Sequence, residues 1–169
     1  MDVAFLVVRI VIGLGLAAHG AQKLFGWFGG YGLAGTGGFF ESLGFRPGKL
    51  MALMAGLGET GGGLLIFLGL GGALGPAILA VVMLVAIFAV HFGKPYFADK
   101  GGPEVPLLYL AGALAIALAG NGAFSLDRLF GVTVLSNGRE VWYAFAAAVV
   151  VALLNLLSRR QGAAQVPSH

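Results

Sequence analysis

Long stretches of this chain carry almost no charge, and their length decides the class of fold. A helix needs ~20 mostly apolar residues to cross about 30 Å of hydrocarbon at 1.5 Å per residue. Segments of about that length run from Val3 to Gln22, Leu50 to Leu70, Pro76 to Phe92, Val105 to Ala119 and Val141 to Leu157. Of the 169 residues, 59% are hydrophobic and only 10% charged, and the mean hydropathy is +0.94, so lipid rather than water is the expected solvent. The expected fold is therefore all-α: an integral membrane helix bundle whose only unavoidable partner is the lipid bilayer.

The net charge of +3 is scattered between the apolar runs, which excludes a nucleic-acid-binding face. The absence of cysteine excludes thiol redox chemistry within the polypeptide. Asp2 precedes the first run and Arg9 interrupts it, unlike a cleaved leader, so this segment is expected to remain as a helix. The uncharged joint Gly69 to Pro76 makes the second and third runs a hairpin, because glycine stops a helix and proline suits the first turn of the next. The fourth run is the shortest. Residues 24–49 are rich in glycine and aromatic rings and are expected at the membrane interface, with Thr36 capping a short surface helix that ends near Gly44.

With five spans, Lys23, Arg46, Lys49, Lys94, Lys100, Arg159 and Arg160 share one side, leaving Arg128 and Arg139 on the other. The positive-inside rule then places the N-terminus outside and the C-terminus, with a tail over 159–169, in the cytoplasm. The terminal His169 carries no motif.

Ionisable groups inside a span cost a few kcal/mol each and need a partner or a purpose. Arg9, His19, Glu59 and His91 qualify, with Glu104 near one boundary. Counting residues puts Arg9 ~9 Å from the outer boundary and Glu59 ~14 Å from the inner one, a gap of roughly 7 Å that an arginine can bridge, so an Arg9–Glu59 ion pair is expected. His19 and His91 fall at nearly equal depth, with Gln22, Lys23 and Glu104 near that level. Together His19, Glu59, His91 and Glu104 would form a pocket able to hydrogen-bond a quinone or relay protons. Neither histidine lies in a close-spaced ligand motif, so no metal is expected.

Two glycine patterns carry less. Gly30 to Gly35 fits G-x-G-x-x-G, but no strand precedes it, and Gly58 to Gly63 signals close helix contact.

Arg9, the run His19 to Trp27, Gly35 to Phe40, Leu43-Gly44, Glu59 with Gly62 and Gly63, His91, Gly101-Gly102, Glu104 and Pro106 to Leu108 occur in an order that resembles the DoxX family of small bacterial and archaeal membrane proteins. The resemblance spans roughly Val3 to Phe130. It implies a four-helix core over 1–130, with residues 131–158 as an additional span, in the cytoplasmic membrane. It also implies a redox setting: the family takes its name from a terminal quinol oxidase subunit, and relatives are linked to thiosulfate:quinone oxidoreduction and to oxidative or thiol stress. The leading expectation is a membrane subunit of a respiratory or redox complex, with other subunits or further copies of itself as partners. Arg9, His19, Glu59, His91 and Glu104 would contact the ligand, and His19, Glu59 and His91 would carry any catalysis. A non-catalytic scaffold for larger subunits and a small transporter or lipid-binding protein are the alternatives. No independent catalytic motif decides among them.

Overall fold

A computed structural model describes residues 2–160, and every regular element among them is helical. The principal helices are α1 (Asp2–Phe25), α2 (Gly32–Ser42), α3 (Gly48–Leu68), α4 (Leu74–Ala86, continued by a π-helical turn, Ile87–His91), α5 (Glu104–Ala119), α6 (Leu126–Phe130) and α7 (Gly138–Leu157). Helices α1, α3, α4 with its π turn, and α7 are each long and apolar enough to cross a membrane, whereas α5 has 16 residues. The fourth run is thus a helix, bounded by Pro103 and by Gly120 at φ 77°, but a short one.

Helices α1, α3, α4 and α5 close a ring around Leu16, Ile66, Leu79, Met83, Ala113 and Ile116. Because lipid supplies no hydrophobic drive between helices, contact depends on close packing of small residues. The α1–α3 interface shows this directly. A Cβ added to Gly13 would stand 2.6 Å from the Gly63 carbonyl and from Phe67 N, and one on Gly20 would strike Gly56 and Thr60. Helix α7 lies outside the ring, its Ala148 against Ala77 and Ala80 of α4, and presents Val149, Val150, Leu153 and Leu154 outward.

Two short helices depart from the sequence reading. Helix α2 starts at Gly32, and Thr36 is a buried interior residue rather than a cap, because α2 packs on α3 instead of lying freely on the surface. Helix α6 arises in a presumed loop: the Ser125 hydroxyl accepts from Arg128 N at 3.2 Å and Gly131, at φ 66°, ends it. Arg160 N bonds Gly44 O at 2.8 Å, so the end of α7 meets the α2–α3 turn. At the opposite end of the bundle, Asp2 accepts from Ala123 N and Ala73 N bonds Leu135 O. The expected tail beyond Arg160, His169 included, lies outside the described residues.

Candidate functional site

The glycine contacts set the register between antiparallel α1 and α3. Gly13 faces Gly63 and Phe67, and Gly20 faces Gly56 and Thr60, which places Glu59 level with His19. Arg9 is then ten residues away along α1, about 15 Å, too far for the expected ion pair. Glu59 is paired instead with Lys23, one helical turn beyond His19, whose ammonium donates to both carboxylate oxygens at 2.8 and 2.6 Å. Glu59 is 2% exposed, whereas the Lys23 side chain is 25% exposed. The pair therefore joins a buried anion to a cation that reaches the surface.

Further polar groups surround it. His19 is level with Glu59 on the facing helix, and its Nδ1 is 3.0 Å from Gln22 Oε1. Because the Gln22 amide nitrogen donates to Phe28 O, its oxygen accepts, so His19 donates to it from Nδ1. Tyr109 of α5 stands edge-on to His19, the ring centres 6.1 Å apart. Its hydroxyl fills the notch left by Gly15, where a Cβ would collide with it. Next to Glu59, the Thr60 hydroxyl is buried and has no hydrogen-bond partner among the described residues. Groups from three helices thus converge, and Tyr109 and Thr60 were missed in the sequence. A lone tyrosine in the fourth apolar run was the available signal.

Arg9 belongs to a second cluster at the other end. It is 2% exposed and donates to Ile66 O and Phe67 O, the terminal carbonyls of α3, at 3.1 Å each, to Phe124 O at 2.8 Å and to Asn121 O. A cation at a helix C-terminus satisfies carbonyls that lack intrahelical partners and opposes the helix dipole. Asn121 hands the network on to Asp127, which also accepts from Gly71 N and Gly72 N at 2.8 Å each. This knot ties the α3–α4 joint to the loop before α6. Neither Asp127 nor Asn121 stood out in the sequence, because a polar residue in an outer loop looks solvated until its partners are known.

The remaining candidates secure the α4–α5 connection. His91, on the π turn, donates from Nδ1 to Gly101 O at 2.6 Å, and Glu104 accepts from Ala98 N at 2.8 Å. The expected single pocket is thus resolved into separate places: His19 with Glu59, His91 and Glu104 at the α4–α5 loop, and Arg9 at the far end. Among the described residues, no three His, Asp or Glu side chains are gathered closely enough to hold a metal ion. A cavity of about 290 Å³ beside Asp127 and an open groove of about 430 Å³ over Arg9 are lined by neither histidine and by neither Glu59 nor Glu104.

Four helices long and apolar enough to cross a membrane and an outward hydrocarbon face define a multi-pass α-helical membrane protein. More particularly, the chain belongs to the DoxX family, whose model matches residues 4–92. It is similar to "Putative oxidoreductase CatD" of Bacillus subtilis, 29% identical over 126 residues, which cover 75% of this chain and 86% of that protein. It is also similar to a Haemophilus influenzae protein described as "Uncharacterized protein", 34% identical over 126 residues, 73% of this chain and 87% of the relative. No solved structure matches it.

Proposed function

We propose that the chain is a membrane subunit associated with redox chemistry, and that it receives a quinone or similar lipid-soluble carrier at the Glu59–Lys23 pair beside His19. One observation carries this reading: a carboxylate buried among spanning helices is balanced by a cation that reaches the surface, with His19 level with it on the facing helix. The relative named as an oxidoreductase supports the redox setting.

Reduction of a quinone takes two electrons and two protons. A partner redox subunit supplies the electrons; His19 as imidazolium gives one proton to a ring oxygen, and Glu59, once protonated from the aqueous side, gives the other. In its Nδ1-protonated form His19 accepts the quinol hydroxyl at Nε2; as imidazolium it donates to the quinone carbonyl. Lys23 holds Glu59 ionised until the ligand arrives. His91 and Glu104 act here by fixing the α4–α5 loop, and Arg9 by fixing the far end of α3.

The second reading is a scaffold in which the Lys23–Glu59 pair only sets helix register, favoured by the contact of both carboxylate oxygens with one ammonium. Purification from native membranes in mild detergent, followed by mass spectrometry of co-purifying lipids and proteins, separates the two. Stoichiometric quinone that is lost in Glu59→Gln supports the ligand site. Partner subunits without quinone, retained equally by wild type and Glu59→Gln, support the scaffold.

A further inference from the structure

Arg160, at the end of α7, is drawn to the corner of the bundle that carries Arg46 and Lys49. Arg160 N bonds Gly44 O at 2.8 Å, and Arg159 donates from Nε to Leu43 O at 2.8 Å while its guanidinium lies over the Phe45 ring, 5.5 Å from the centre. These links fix the end of α7 beside the turn that carries Arg46 and leads into Lys49. Arg159 is committed to this anchor. Arg46, Lys49 and Arg160 are exposed, and among the described residues no acid lies within salt-bridge distance of them. Glu41, the acid on the facing helix, is turned to Gly48 N.

The surface next to these charges is hydrocarbon. Leu154 and Leu157, on the last turns of α7 just before Arg159, are 62% and 80% exposed. A ligand satisfying both features is an amphiphile with an anionic head and acyl chains below it. An acidic protein would neutralise the cations but leave the leucines uncovered. We infer that the corner formed by Arg46, Lys49 and Arg160 binds the phosphate of an anionic phospholipid, whose chains lie along the end of α7. The inference is independent of the quinone site, which is built from other residues.

Full-length protein purified from nanodiscs containing equal amounts of phosphatidylglycerol and phosphatidylcholine is examined by native mass spectrometry for retained lipid. Wild type is expected to retain phosphatidylglycerol at one saturable site, enriched about tenfold over phosphatidylcholine. The variant Arg46→Gln/Lys49→Gln/Arg160→Gln is expected to lose the enrichment without losing its fold, since none of the three side chains has a charged partner to strand. Lys94→Gln/Lys100→Gln, which removes two charges elsewhere, should leave it unchanged. Equal lipid ratios in wild type and the triple variant would overturn the proposal, as would equal losses in both variants, which would reduce the effect to net charge.

Discussion

Lys23 and Glu59 are not equivalent members of their pair, and removing each has a different consequence. Without Lys23, a buried carboxylate is left uncompensated, so Lys23→Met is expected to cost about 3 kcal/mol. Without Glu59, the partly exposed ammonium swings toward water along its flexible stem, so Glu59→Gln should cost closer to 1 kcal/mol. Unfolding in detergent measures both, and a larger loss for Glu59→Gln would contradict the assignment of buried and exposed partners. Arg9 makes a different demand. Its planar guanidinium serves four carbonyls at once, a geometry that an ammonium does not reproduce. Arg9→Lys should therefore destabilise nearly as much as Arg9→Gln, about 3 kcal/mol, and rescue by lysine in the same unfolding assay would show that charge alone matters. The sequence makes Arg9 and Glu59 legible as intramembrane charges but pairs them with each other, whereas Glu59 is held by Lys23. A depth counted from each helix's own start differs from the true level, which is set by the contacts of Gly13 and Gly20 and which a single helix does not reveal.

At the scale of elements, α3 is the hub, in contact with α1, α2 and α4, and its glycines divide by face. A Cβ on Gly63 would lie 2.6 Å from Ala17 N on α1, whereas one on Gly61 meets nothing within 4 Å among the described residues. Gly63→Ala should separate the helices and cost 2 kcal/mol or more, on the order of a serious core clash. Gly61→Ala should be neutral or stabilise by about 1 kcal/mol through helix propensity. Equal effects of the two, measured by unfolding, would contradict the packing. The long spans were readable because an uninterrupted apolar run admits little else in lipid. The start of α2 and the existence of α6 were not, since both depend on tertiary contacts: α2 on burial of Thr36 and Gly37 against α3, and α6 on the bonds that Asp127 makes to Gly71 and Gly72.

Across the whole molecule, the basic loops share one end. Arg160 meets Gly44 there, while Asp2 meets Ala123 at the other. We propose that the basic end faces the cytoplasm. The chain has no cysteine of its own, so single cysteines report without background. In intact cells a membrane-impermeant maleimide should label Ser136→Cys and leave Arg46→Cys untouched; the reverse pattern would invert the orientation. The same view separates the two buried charge clusters by function. The Arg9–Asp127 knot is spent on backbone groups and reads as architecture. The Glu59 cluster combines ionisable groups with a hydroxyl that has no partner among the described residues, and it is the place we propose for a ligand.

The most direct test of that division is a titration of a short-chain quinone into the protein in nanodiscs, comparing wild type with Glu59→Gln, His19→Ala and Asp127→Asn. The account predicts that Glu59→Gln and His19→Ala each weaken binding at least tenfold, about 1.4 kcal/mol, while Asp127→Asn lowers stability and leaves affinity unchanged. Equal affinity in wild type, Glu59→Gln and His19→Ala would contradict it and leave the Lys23–Glu59 pair as a structural bond between α1 and α3.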